Sequence, residues 1–573
     1  MTTPAATVTR TFVPATLDTS NFTAIAPLFV SLEERPIRSP AELERWLLDV
    51  SELAAVLSEV GAKRYIDMTC HTDDQALEAA YLHWIEQIQP ACKPHYQKLD
   101  EKFLASPHRA ELPQTRYHVY DRNTASDAAL FRPENIPLQT EEARLDQQQS
   151  KIAGAMTVYF DGTLRTMPQM ARYLEETDRR LRQFAWEAAT TRRLVHEKEF
   201  DDLLDQQIAV RDRMAKNAGL PSYVHYAFRM YRRFDYTPAD CLAFHDAIEK
   251  TCVPLLRQVQ ERRRQTMKLA TLRPWDTSVD PLGRPPLRPF TTADELAQIT
   301  ERIIARLDTG LAAQLAAMRQ NNLLDLDSRP HKAPGGYQST LDERRVPFIF
   351  MNAAGTHGDL QTLLHEAGHA FHANAAREEP LLAYRSAPIE FCEVASMGME
   401  MIAGPHLSEV YTREEHARAV RQHLEGLLSL FPWIAMIDAF QHWLYTHAGG
   451  GGHTHQQRNN FWMSLVHRFG GIIDFSNYEH PTELAWQRQR HLWNCPLYYV
   501  EYGIAQLGAL QLYAHSLQNP KAALAAYKHA LSLGGAQPLP QLFAAAGLKF
   551  DFTTATLAPL MELVQKKLAE LPE

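Results

Sequence analysis

Apolar residues recur with a helical period along most of this chain, and the period switches to two in only two places. From Ser39 onward, SPAELERWLLDVSELAAVLSEV reads as a capped amphipathic helix. Helical spacing continues over 76–104, 140–152, 291–319, 389–404 and 520–532. The runs 168–217 and 238–269, the second with Thr237 as N-cap and Pro238 in its first turn, predict two long antiparallel helices or a coiled-coil-like hairpin. Alternation appears first in AMTVYF and TLRTM around Asp161-Gly162, the pattern of a β-hairpin. It appears again from Gly335 through a charged turn at 342–345 into VPFIFMN, where Pro347 predicts an edge or strand-start position. An open edge there would pair with an extended peptide backbone. Residues 1–35 are Thr/Pro-rich and expected to run extended over the surface. Residues 272–289 and the four-glycine stretch within 448–454 read as loops, and no fixed-period repeat is visible.

At 573 residues the chain exceeds one typical core, so two lobes or domains are expected. With 45% hydrophobic and 22% charged residues it has the composition of an ordinary globular protein. A formal net charge of −9 argues against general affinity for nucleic acid or anionic membrane surfaces. The most apolar stretch, 427–437, is broken by Ser429 and Pro432, too short for a membrane span. The first residues lack a basic segment followed by an apolar one, so a cytoplasmic location is expected. Cys70, Cys92, Cys241, Cys252, Cys392 and Cys495 have no CxxC spacing and read as reduced thiols.

Chemistry concentrates in 359–376, DLQTLLHEAGHAFHANAA. As a helix, Asp359 caps its first turn, and Leu360, Leu363, Leu364, Ala367 and Phe371 form a buried stripe. His365 and His369, four apart, project from one face and can share a Zn²⁺ ion. Glu366 is placed to act as general base on an activated water. Histidines at this spacing are more often solvated or core residues. Gly368 inside the helix, where glycine costs about 1 kcal/mol, favours the site by implying a close approach. Glu390 and Glu393 both qualify as a third ligand, and spacing does not choose between them; Glu400, further along, can hydrogen-bond a ligating histidine. His447, His453 and His455 flank the glycine run, but ordering such a loop is costly, and Arg262–Arg264 reads as a solvated helix face. Tyr498 and Tyr502, four apart, share a helix face, either as oxyanion donors or as core packing.

His365-Glu-Ala-Gly-His369-Ala-Phe-His372, followed by Glu393-Val-Ala-Ser396 and Glu400, resembles the M3 zinc peptidases, closest to their oligoendopeptidase F branch. The resemblance extends to PFIFMNAAGTHGD, to FQHWLYTH, and to the tyrosines after His491. It implies a mainly α, two-lobed ellipsoid with a deep substrate channel and a small β-sheet beside the HExxH helix. The implied division is an N-terminal helical lobe, 1–185, and a catalytic domain, 186–573. It further implies one Zn²⁺ held by His365, His369 and Glu393, with Glu400 behind a ligand and Glu366 as base. Tyr502, Tyr498 and His491 would stabilise the oxyanion; Cys495-Pro496 lengthens the gap to the tyrosines, so Tyr499 competes for that role. Phe348, Phe350, Asn352, Gly355 and Tyr499 would meet the substrate. The expected function is zinc-dependent hydrolysis of internal bonds in short unstructured peptides, with neither nucleic acid nor membrane as partner. Alternatives are a dipeptidyl carboxypeptidase or carboxypeptidase on the same fold, and a non-catalytic peptide-binding scaffold with a structural zinc; the latter usually has four protein ligands.

Overall fold

The computed structural model describes residues 10–329, 331–333, 335–447 and 452–572, without the side chain of Pro168. The chain is mainly α-helical with two small sheets. It forms two compact units interleaved in sequence: the first comprises 1–131, 288–420 and 505–550, the second 132–287, 421–504 and 551–573.

In the first unit, helices Phe22–Glu34 and Pro40–Cys70 are capped by Asn21 and Ser39. Part of the segment expected to be extended is therefore helical. Ile25, Phe29 and Leu32 fall at helical spacing and are wholly buried against Leu43, Trp46 and Phe103, which offsets the cost of Pro27 inside the helix. The run 291–319 is two helices, Ala293–Leu307 and Thr309–Gln320, because Asp308 turns extended and caps the second.

The three-stranded sheet corrects the strand expectation. Val346–Ala353 is central, parallel to Leu324–Asp327 and antiparallel to Tyr337–Leu341. Pro347 does lie at the strand start, opposite Thr340, where its missing N–H is tolerated. With a strand on each side, Val346–Ala353 has no free edge for a peptide; Tyr337–Leu341 is an outer strand. The HExxH helix, His357–Ala375, follows the central strand and packs on it.

In the second unit the hairpin forms as expected, Thr157–Phe160 against Thr163–Thr166. Asp161 (φ 50°) and Gly162 (φ 73°) take the left-handed conformations of a tight hairpin turn. The predicted long helix over 168–217 is instead broken into Met167–Arg172, Arg179–Leu194 and Glu197–Asn217, with Asp178 capping the second piece. Glu197–Asn217 packs on Asn135–Gly154, and Pro238–Thr266 on Thr554–Glu570, so the two-helix hairpin does not exist. The basic triplet is not simply solvated: Arg264 pairs with Glu261, while Arg263 donates to the carbonyls of Asp276 and Val279, tying down the following loop. Residues 448–451 of the glycine run lie outside the described residues. His447 and His453 rest against Trp443, and His455 pairs with Asp205 at 2.7 Å, so these histidines form no metal-like cluster among the described residues. None of the six cysteines is in a disulfide. Among the described residues no helix is long and apolar enough to cross a membrane.

Candidate active site

The helix that carries the two histidines is fixed at its start by a reciprocal cap. Thr356, not Asp359, is the N-cap; its side chain accepts from the Asp359 amide, and Asp359 Oδ2 accepts from the amides of Thr356 and Ala354. Leu360, Leu363, Leu364, Ala367 and Phe371 are each at most 1% exposed. Full burial of such leucine and phenylalanine side chains contributes about 1.5–3 kcal/mol apiece, far more than the interior glycine costs.

That glycine brings in the second helix, Ile389–Ala403. The backbone of Ala395 and Ser396 runs so close to Gly368 that a β-carbon there would sit 2.5 Å from the Ala395 carbonyl oxygen. The same carbonyl accepts a 2.6 Å hydrogen bond from the buried Tyr527 hydroxyl. The close crossing sets Glu393 opposite the histidines: its Oε2 is 3.4 Å from His365 Nε2 and 3.6 Å from His369 Nε2. One ligand atom from each of the three lies within 4.8 Å of the others, and Glu390 is not in this group. Two imidazoles and a carboxylate are a donor set that suits a zinc-like dication with an open position.

The surroundings orient each donor. His365 Nδ1–H donates to Glu400 Oε1 at 2.7 Å, which frees Nε2 to face Glu393. Ser396 Oγ donates to Glu393 Oε2 at 3.0 Å. Burial opposes the Glu393 charge, but His369, His365 and Ser396 outweigh it and hold the carboxyl at about 2. Burial likewise opposes protonation of His365, yet Glu393 and Glu400 raise it well above the ordinary histidine range. Burial dominates at His369 and lowers it to about 4. His372, one turn further, is 4% exposed and lowered to about 4 by burial; it takes no part in the donor set.

Glu366 is 6% exposed, and the neighbouring His365 favours its charged form. Burial raises its carboxyl to about 7, with Glu393 adding to the rise and His365 and the Gln338 amide opposing it. Gln338 belongs to the outer strand Tyr337–Leu341, so that strand, missed as a site element in the sequence, touches the base directly. Period-two spacing beside the HExxH helix was its only signal.

Other expected contacts fall elsewhere. Phe350 is fully buried and stacked on Tyr337 at 4.8 Å, and Phe348 is buried in the same cluster, so both are core residues and not substrate contacts. Asn352 uses its amide to hold the carbonyls of Ala333 and Gly335 at 2.7 and 2.9 Å. Gly355 adopts φ +89° in the turn before the helix, close to the Phe290 carbonyl.

The tyrosine cluster belongs to the second unit. Tyr498 and Tyr499 precede the helix Val500–Gln518, so Tyr498 stands just outside the helix; its carbonyl accepts from the Glu501 amide at 2.9 Å, and its ring lies 5.4 Å from that of Tyr502. His491 completes a triangle with their rings, its centroid 6.1 Å from Tyr498 and 5.6 Å from Tyr502, with Nε2 3.4 Å from the Tyr502 hydroxyl. Trp433 Nε1 donates to Gln489 Oε1, whose Nε2 donates to His491 Nδ1 at 2.7 Å. That chain leaves the His491 proton on Nε2, pointing at Tyr502. Tyr499 bonds Trp433 and Gln489 and is the scaffold of the chain. Trp433 also lines a cavity of about 1280 Å³ within the second unit, and Arg488 lies over its ring at 5.1 Å.

Comparison with known proteins gives a consistent picture. The model of peptidase family M3 matches residues 172–562, and that of the peptidase M3 N-terminal domain matches 12–131. Oligopeptidase PepF of Bacillus subtilis (strain 168) is 25% identical over 336 residues, covering 57% of this chain and 49% of the relative. The match thus spans about half the length of that curated relative. Among solved structures, PZ peptidase A with an inhibitor superposes with a TM-score of 0.90 at 25% identity, covering 96% of this chain and 98% of the other. A structure described as an oligoendopeptidase F gives 0.91 at 26% identity, over 98% and 99% of the two chains.

Proposed function

The chain belongs to peptidase family M3, and from that premise we propose that it is a zinc-dependent endopeptidase that hydrolyses internal bonds of short, unstructured peptides. One observation carries the reading: His365, His369 and Glu393 converge beside Glu366, a buried carboxyl raised to about 7. A structural site would close its coordination sphere with a fourth protein ligand, and no such residue joins this group among the described residues. Zinc, when bound, would supply Lewis acidity and lower the pKa of a water toward about 7.

Glu366 takes the proton of the attacking water and passes it to the leaving nitrogen, for which a carboxyl poised near neutrality is suited. The Gln338 amide and the buried setting aim that carboxylate. The hydroxyls of Tyr502 and Tyr498 are phenol donors suited to an oxyanion, with the His491 Nε2–H directed at the Tyr502 hydroxyl. The extended peptide lies along the outer strand Tyr337–Leu341, in place of the paired central strand.

The test uses an internally quenched peptide about nine residues long, blocked at both ends, a length that an extended chain spans in about 30 Å. Wild type is expected to cleave an interior bond, and Glu366→Gln to lose at least about 10²-fold in kcat while keeping its metal. Trimming of only free-ended peptides would replace this reading with an exopeptidase. Metal-loaded protein inactive on every peptide would leave a binding scaffold.

A further inference from the structure

A second cluster of metal-binding side chains lies in the second unit, far in sequence from the HExxH motif. Cys241 and His245 are four apart on helix Pro238–Thr266, and Asp438 and His442 are four apart on helix Arg413–Thr446. Each pair therefore projects from one helix face. One ligand atom each from Cys241, Asp438 and His442 lies within 4.8 Å of the other two. All four residues are buried: Asp438 is 0% exposed, Cys241 and His245 1%, and His442 6%.

The polar atoms here are incompletely matched. His245 Nε2–H donates to Asp438 Oδ2 at 2.8 Å, while Asp438 Oδ1 and His442 Nε2 have no hydrogen-bond partner. Buried polar atoms are seldom left in that state. The His245–Asp438 hydrogen bond accounts for one contact only. It leaves the second histidine's Nε2 unsatisfied 3.4 Å from the carboxylate.

We propose that Cys241, Asp438 and His442 hold a divalent transition-metal ion of the zinc class, with His245 orienting the Asp438 carboxylate. The charges balance, since a thiolate and a carboxylate neutralise a dication in a dry site. Sulfur, nitrogen and oxygen donors are all ordinary for zinc, whose ligand atoms stand about 3–4 Å apart, so small side-chain rotations close the set. A histidine–carboxylate bond behind the coordinating oxygen is the usual supporting arrangement. With three protein donors such an ion would keep one position open, and by joining Cys241 on one helix to Asp438 and His442 on the other it would link the two helices.

Cobalt substitution separates this site from the HExxH centre, because only this one contains sulfur. Metal-free full-length protein is titrated with Co²⁺ and followed by absorbance, with total metal counted by native mass spectrometry. Expected are two ions per chain and a near-ultraviolet sulfur-to-cobalt band. Cys241→Ser should lose that band and one ion while its cleavage of the blocked peptide persists. His442→Gln should likewise lose one ion, which serves if the cysteine variant does not fold. Saturation at one ion without a sulfur band would overturn the proposal and leave a buried histidine–aspartate pair. Two ions without a sulfur band would overturn it equally, by placing the second ion elsewhere.

Discussion

Gly368 and Ala395 are in backbone contact: a β-carbon on the glycine would meet the alanine carbonyl oxygen at 2.5 Å and Ser396 Cα at 2.6 Å. Neither neighbour can swing aside, because the first is backbone pinned by Tyr527 and the second is helix. Gly368→Ala is expected to destabilise by about 1–3 kcal/mol through overpacking, despite alanine's better helix propensity. The helices must part to admit the methyl group, so Glu393 withdraws from His365 and His369. Metal affinity should fall along with the melting temperature. Chelator competition and thermal unfolding check this; a variant with lowered stability and unchanged metal affinity would refute the link.

Glu400 touches the proposed metal only through His365. Removing its 2.7 Å contact frees the ring to rotate and removes the acceptor that fixes its tautomer. Glu400→Ala is expected to weaken metal binding by about 10–100-fold. Glu400→Gln keeps an acceptor oxygen and should lose less. Competition with a chromophoric chelator measures both variants, and equal losses in the two would argue against an oriented hydrogen bond.

Tyr502→Phe tests the oxyanion role. Loss of one preorganised donor costs about 2.7–4 kcal/mol, or about 10²–10³ in kcat. KM should change little, because the charge it meets develops only in the transition state. Tyr499→Phe breaks the hold on Trp433 and Gln489 and should give a smaller loss. Steady-state kinetics on the blocked peptide separate the two; a pure KM effect in Tyr502→Phe would exclude the role.

The candidate metal site was legible in the sequence because one helix encodes it locally. The i, i+4 histidines, the apolar stripe and the interior glycine all refer to a single element and its nearest neighbour. The choice of Glu393 over Glu390 depends on where one helix crosses another, which spacing does not carry. Phe348 and Phe350 were misplaced for a similar reason. A strand's pattern tells which faces are buried, but not whether its edges are paired. The break at Asp178 was missed because the flanking charged residues fit a helical period, while the cap at Asp178 overrides it. Residues 22–34 were misread from Pro27 and the threonines, which outweighed three apolar residues that tertiary burial then made decisive.

Asp276 anchors a buried charge cluster in the second unit and sets a pH dependence there. It is 0% exposed and bonds Arg179, Arg182 and the Arg273 amide. Burial pushes its carboxyl up, but Arg179, the Arg273 amide and Arg182 outweigh burial and leave it below the ordinary aspartate value. A carboxyl depressed on folding stabilises fully above its unfolded pKa of about 3.9, and that contribution disappears as pH falls through the folded value. Asp276→Asn takes the counter-charge from the buried Arg182, which keeps the carbonyls of Trp275, Glu176 and Thr177, while the half-exposed Arg179 is left to solvent. The cost near neutrality should be about 1–3 kcal/mol. The gap in urea midpoint between wild type and variant should therefore narrow as pH drops from about 6 to about 3. Urea unfolding followed by tryptophan fluorescence, to which Trp186 and Trp275 beside this cluster contribute with rings 5.7 Å apart, measures both midpoints. A gap that stays constant over that range would mean that Asp276 keeps the same proton affinity folded and unfolded, and that the arginines are held by packing alone.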